Sequence, residues 1–152
     1  MSVNYNISPD LKLVIYYSSG VITVSEIFNA LESAILDKRR ISDLITIIDY
    51  SDALENVQWG EWQELIRRTE SLIDRGILTE PLVLISNSTA MRLLVDAINL
   101  LPRKVPFRMQ VVSTIADAIS LLGLSESKEE VIQLWNECRS LKMKKNLIGI
   151  PF

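Results

Sequence analysis

The chain has 152 residues, 48% of them hydrophobic and 23% charged, and its formal net charge is −3 at pH 7. This length and composition predict one folded domain over 1–152, and the negative charge disfavours nucleic acid as a partner. The absence of histidine excludes Ser-His-Asp triads and histidine-based metal sites, and the single cysteine excludes an internal disulfide and cysteine-rich metal sites.

The first predicted element is a β-hairpin. Apolar and polar residues alternate over 3–7, and Pro9 takes the second position of a turn. A β-rich run over 11–18 gives the second strand, which Gly20 is expected to end. The two strands are therefore predicted to pair in antiparallel fashion.

Two helices with one strand between them follow the hairpin. Thr23 and Glu26 have the spacing of a capping box, and apolar residues then repeat at helical intervals. The run over 44–49 is apolar without alternation, as expected of a central strand that is covered on both faces. The second helix is predicted over 57–75, and Gly76 closes it.

Strands and helices continue to alternate in the second half of the chain, where Ser88 is the predicted cap of the third helix. The predicted elements are a buried strand over 82–85, a helix over 88–101, a strand near the sheet edge over 107–111, a short helix over 114–122, a terminal helix over 126–144 and a C-terminal tail over 143–152. Because strands that alternate with helices need crossover connections, the order β-β-α-β-α-β-α-β-α-α predicts an α/β fold with a mostly parallel five-stranded sheet and an antiparallel first strand.

The expected location of the protein is the cytoplasm. The first residues, MSVNYNISPDLK, lack a basic stretch followed by an apolar one, so no secretory signal is predicted. The most apolar segment, 91–101, contains Asp96 and Asn99 and is shorter than the roughly 18 apolar residues that span a bilayer. We therefore expect no membrane insertion.

Three segments of the chain carry a family resemblance. They are SSGVITVSEIFNAL over 18–31, the buried strand ITIIDYSDA over 45–53 and STIADAISLLGL over 113–124. Together they resemble the SpoIIAA-like group, which includes STAS domains and is related in fold to the CRAL-TRIO lipid-binding domains. The resemblance implies a SpoIIAA-like fold and a regulatory or interaction domain.

One motif of that group is missing from this chain. Anti-anti-sigma members carry a phosphorylatable serine in an Asp-Ser-Ser-Gly motif at the start of the second helix. The corresponding stretch here, DYSDALENVQWGEW over 49–62, has no such motif. Ser51 lies near the end of the strand but outside that setting, so no phosphorylation site is carried over.

Polar and aromatic residues gather after the predicted central strand, where parallel sheets usually bind ligands. The candidates for ligand or partner binding are Asp49, Ser51, Asp52, Glu55 and Trp59, with Trp62 beside them. Carboxylates and indoles suit a small molecule or a partner peptide. The alternative, which we favour, is structural: Asp49 and Ser51 satisfy turn amides, and Trp62 belongs to the core stripe of its helix.

The third helix has more apolar surface than one sheet contact requires. One stripe consists of Met91, Leu94, Val95, Ile98 and Leu101, and a second stripe consists of Ala90, Leu93, Ala97 and Leu100. A helix that packs on a sheet needs only one such face. We expect the second stripe to meet the terminal helix, a second subunit in a symmetric dimer, or a lipid-like ligand.

Two further features have simple structural interpretations. Arg103, Lys104 and Arg108 follow the third helix and are predicted to form a solvated loop and a charged sheet edge rather than a phosphate site. Cys138 falls on an apolar stripe of the terminal helix and is predicted to be a core residue.

The leading functional prediction is a non-enzymatic regulatory or protein-interaction domain that forms a homodimer and has another protein as a partner. Neither GxGxxG nor GxxxxGK[ST] occurs, and no cofactor is predicted. The alternative is a protein that binds a small ligand, either a lipid or a nucleotide, in a pocket of about 300–1,000 Å³. A third hypothesis is an enzyme that uses only the carboxylates of Asp49, Asp52 and Glu55.

Overall fold

The computed structural model describes residues 2–54 and 59–148, and the side chains within 3–53 and 60–141. The strands are β1 (Ser2–Ser8), β2 (Leu13–Val21), β3 (Ile45–Leu54), β4 (Leu82–Ile85) and β5 (Met109–Val112). The helices are α1 (Val24–Ile35), α2 (Trp59–Asp74), α3 (Thr89–Leu100), α4 (Ile115–Leu121) and α5 (Lys128–Ile148), with a 3-10 turn at Ser125–Ser127.

The five strands form one sheet in the order β1-β2-β3-β4-β5. β1 is antiparallel to β2 and the other neighbours are parallel, so the predicted α/β fold class is confirmed. Each crossover connects a strand to its next neighbour, always moving the same way across the sheet. Because such crossovers are right-handed, α1, α2 and α3 lie on one face of the sheet. Apolar side chains of these helices form one core with that face, while α4 and α5 form a second core with the opposite face.

Side-chain caps begin α1 and α3 where the sequence predicts them. The Thr23 hydroxyl accepts a hydrogen bond from the Glu26 backbone N–H at 3.2 Å and donates one to the Glu26 carboxylate at 3.2 Å. The Ser88 hydroxyl accepts from the Met91 backbone N–H at 3.2 Å. These bonds satisfy donors that the first turn of a helix leaves open, which fixes the start of both helices.

The first two parallel strands are longer than predicted. β2 runs through Gly20 instead of ending before it, and Gly20 has a φ of +69°, which glycine adopts without strain. β3 continues past Asp49 to Leu54, because the end of β2 supplies pairing partners as far as Val21. Apolar patterning misses these ends because pairing, rather than burial of an apolar run, holds them in the sheet.

The terminal helix is also longer than predicted. α5 continues to Ile148, so the part of the predicted tail over 143–148 is helical, and residues 149–152 lie outside the described part of the chain. Cys138 is fully buried and contacts the Ile15 carbonyl oxygen at 3.6 Å, which confirms its predicted place in the core. Among the described residues, no helix is long and apolar enough to cross a membrane.

The free edge of β5 is capped by a side chain of α3. Asn99 donates from Nδ2 to the Met109 carbonyl at 2.9 Å, and its Oδ1 accepts from the Met109 backbone N–H at 2.8 Å. These are the two bonds that a neighbouring strand would make, so one position of the edge is closed to further pairing.

Candidate functional site

Asp49 is the centre of a polar cluster at the carboxyl ends of β2 and β3. Its side chain is fully buried on the face of the sheet that α5 covers. Oδ1 accepts hydrogen bonds from the Ser51 backbone N–H at 2.9 Å and the Ser51 hydroxyl at 2.6 Å. Oδ2 accepts from the Trp135 indole N–H at 2.7 Å. Asp49 therefore ties the middle of β3 to the middle of α5.

Asp52 forms the outer half of the same cluster. The Tyr17 hydroxyl donates a hydrogen bond to Asp52 Oδ2, and Arg139 Nη2 lies 3.6 Å from the same oxygen. The Arg139 guanidinium lies 4.5 Å from the centre of the Trp135 ring and 5.5 Å from that of Tyr17, within cation–π range. We call Tyr17, Asp49, Ser51, Asp52, Trp135 and Arg139 the strand-end cluster.

A β-bulge brings both carboxylates to the same side of the sheet. Tyr17 pairs with Asp49 and Ser19 with Asp52, so β3 has one residue more than β2 between these two pairs. The extra residue breaks the strict alternation of side chains and turns Asp52 toward Tyr17.

The structure brings together three of the predicted site residues. Asp49, Ser51 and Asp52 lie in the strand-end cluster, and Asp49 accepts the Ser51 amide within β3, where the sequence predicts a turn. Trp62 packs in the core on the opposite face of the sheet. Trp59 begins α2 but its side chain is not among those described, and Glu55 lies outside the described residues.

The sequence-based prediction missed three members of the cluster: Tyr17, Trp135 and Arg139. Helical spacing places Trp135 on the same apolar stripe of the terminal helix as Cys138, which predicts only a core role for it. The available signal was chemical, because a buried indole N–H needs an acceptor and a buried carboxylate needs donors. Neither requirement indicates which residue supplies the partner, and 86 residues of sequence separate Trp135 from Asp49.

The cluster raises the pKa of Tyr17 to about 12, first through burial and then through the hydrogen bond to Asp52. Burial is also the largest cause that raises the pKa of Tyr5, Tyr16 and Tyr50, the other three tyrosines. The folded protein should therefore form less phenolate near pH 10, the usual pKa of the group, than the unfolded chain does.

A spectrophotometric titration tests this expectation. Raised folded-state pKa values stabilise the fold below the unfolded pKa, so the free energy of unfolding should fall as pH rises from 10 toward about 12. Tyr17→Phe should reduce that pH dependence. Full phenolate absorbance near pH 10 in a chain that remains folded would contradict the described environments.

The second stripe of α3 is exposed. Leu93 and Leu100 are 64% and 84% exposed, and Leu101 and Val105 beside the helix end are 38% and 46% exposed. α5 packs on the other face of the sheet, so the terminal helix does not cover this stripe. The sequence predicts three alternatives for what covers this stripe, and the first of them, the terminal helix, is excluded for the described part of α5.

Two cavities bear on the ligand-binding hypothesis. The apolar space between the sheet and the three helices α1, α2 and α3 has a volume of about 60 Å³, well below that of a ligand pocket. A cavity of about 410 Å³ lies at the opposite end of the sheet from the strand-end cluster. Polar and apolar side chains line it, and the polar ones are Tyr16, Arg40, Ser42, Asp43, Thr46 and Thr79. Arg40 donates to the Ile77 carbonyl at 3.1 Å.

Comparison with known proteins identifies the fold. No family model matches the sequence, and no curated protein matches it significantly. Among solved structures, the chain is similar to an uncharacterised protein of the DUF3478 family from Shewanella loihica PV-4, which has a SpoIIAA-like fold. The two share 13% sequence identity and a TM-score of 0.52, and the match covers 80% of this chain and 92% of the other. The chain therefore has the SpoIIAA-like fold that its sequence resemblance implies.

Proposed function

We propose that this chain is a non-enzymatic regulatory domain of the cytoplasm that binds protein through the exposed stripe of α3. The observation that carries the proposal is the concentration of apolar surface there. Leu93 and Leu100 on the stripe, with Leu101 and Val105 just beyond the end of the helix, are four of the nine exposed large apolar side chains in the described part of the chain. Contiguous apolar patches on soluble proteins commonly mark interaction sites.

The strand-end cluster supports a structural rather than a catalytic role for Asp49. Both oxygens of Asp49 already accept hydrogen bonds from the protein, and the side chain has no exposed surface. A general acid or base must reach the proton that it transfers. Asp49 is better placed to hold α5 on the sheet than to act on a substrate.

Site-specific photo-crosslinking in the native cell tests the proposed function. A photoreactive amino acid at position 100 should form adducts with a protein partner, because that position is exposed within the apolar stripe. The matched control is position 36, since Leu36 is 83% exposed and Leu100 is 84% exposed, but Leu36 ends α1. Equal adduct yields at the two positions would overturn the proposal.

A second candidate function is the binding of a small ligand in the cavity at the amino ends of the parallel strands. Its volume of about 410 Å³ lies within the range of ligand pockets. Burial, opposed by the charge of Arg40, raises the pKa of Tyr16, so its hydroxyl stays protonated and can donate. Native mass spectrometry of protein purified without denaturation should then show a bound small molecule, and a mass equal to that of the bare chain would remove this candidate.

A further inference from the structure

The exposed stripe of α3 has the spacing of a helix that packs on another helix. Ala90, Leu93, Ala97 and Leu100 follow one another at intervals of three, four and three residues. This is the spacing of the a and d positions in a heptad repeat. Small and large side chains alternate along the stripe, so each leucine needs a small residue opposite it for close packing.

We propose that the occupant of this stripe is a second copy of the chain, with the two α3 helices antiparallel about a twofold axis level with Val95. In that register Leu93 lies opposite the partner's Ala97, and Ala90 lies opposite the partner's Leu100. A twofold contact of this kind pairs the same surface of both copies, as in the commonest oligomers. The inference rests on the proposed function, because it names the partner of the same face.

Charges beside the stripe favour the same arrangement. Arg92 and Asp96 are both exposed on one flank of the stripe. The proposed axis brings this flank of each copy against the same flank of the other. Arg92 is then offset from the partner's Asp96 by two residues, about 3 Å along the helix. Two arginines and two aspartates meet with no net charge, and among the described side chains of one copy Arg92 makes only a long bond of 3.4 Å to the Ser113 hydroxyl.

Sedimentation analysis across a range of protein concentrations tests whether a second copy of the chain binds the stripe. The full chain should sediment as a dimer, and Leu93→Glu should sediment as a monomer because a charge would be buried in the contact. Leu36→Glu, at the exposed C-cap leucine of α1, should remain dimeric. Far-ultraviolet circular dichroism checks that each variant is folded.

A charge exchange tests the register. Arg92→Asp and Asp96→Arg should each raise the dimer Kd about tenfold, because each leaves four like charges on the shared flank. The double variant Arg92→Asp/Asp96→Arg restores opposite charges and should return the Kd to within about threefold of the original.

The contrary outcomes separate this inference from the proposed function. A monomer at every concentration would overturn the second copy as the occupant, while adducts with another protein at position 100 would leave the proposed function standing. A dimer that Leu93→Glu leaves intact would overturn the contact through α3. A dimer that Leu93→Glu dissociates, but whose Kd the double variant does not restore, would overturn the antiparallel register.

Discussion

Arg103→Met should lower the free energy of unfolding by about 3–5 kcal/mol, because it breaks a buried ion pair and leaves the partner groups unsatisfied. The Arg103 side chain is only 6% exposed and pairs with the Glu70 carboxylate of α2. It also donates to the Ile98 carbonyl at 2.6 Å and to the Phe107 carbonyl at 2.8 Å. One guanidinium therefore joins α2, the end of α3 and the segment before β5.

The matched control for this substitution is Arg67→Met. Arg67 is 70% exposed and pairs with Glu64 at 2.7 Å, so its loss should cost less than about 1 kcal/mol. Urea denaturation of both variants gives the comparison, and the melting temperature of the Arg103 variant should fall by about 6–20 °C. Equal losses would show that Arg103 is solvated, as its sequence context predicts.

Asp49→Asn should lower the free energy of unfolding by about 2–3 kcal/mol. The amide has nearly the same shape, but its Nδ2 cannot accept, so at least one donor of Ser51 or Trp135 loses its acceptor. Trp135→Phe should cost about 1.5–3 kcal/mol, since it leaves Asp49 Oδ2 without its indole donor. Chemical denaturation measures both losses.

The double variant identifies the bond that the two residues share. Asp49→Asn/Trp135→Phe should cost less than the sum of the single substitutions, because without the indole donor the amide introduced by Asp49→Asn can turn its one oxygen to Ser51 and leave no donor there unsatisfied. Asp52→Asn is the control: Asp52 is 46% exposed, and its ion pair with Arg139 should contribute below about 1 kcal/mol. Strict additivity would show that Asp49 and Trp135 do not interact in solution.

The order of elements could be predicted because its signals are local. The capping residues Thr23 and Ser88 mark helix starts within four residues of sequence, and the unbroken apolar run of β4 marks a strand covered on both faces. Strand ends were less predictable. The last residues of β3 are held by pairing with β2, and a pairing partner from elsewhere in the chain leaves no local pattern.

The strand-end cluster and the Arg103 pair depended on contacts between distant residues. Arg103 follows a helix end in a basic segment, which is typical of a solvated loop, yet Glu70 lies 33 residues earlier and covers it. Arg103 is buried because the end of α3 packs beside α2, and no sequence pattern within either segment indicates that contact. The surplus apolar stripe of α3 could be predicted, because a helix facing a sheet needs only one such face.

The position of α5 constrains how the chain can fold during synthesis. α5 covers β1 and β2, and the Asn6 amide contacts the Glu137 carboxylate across 131 residues of sequence. Ile15 and Ile47 are fully buried in the folded protein. Until α5 leaves the ribosome, it cannot cover them on that face of the sheet. Long-range contacts of this kind close late, since the loop entropy must be lost before they form. A nascent chain would therefore expose apolar side chains on that face of the sheet until α5 has been translated, so we expect chaperones to engage the growing polypeptide until α5 emerges.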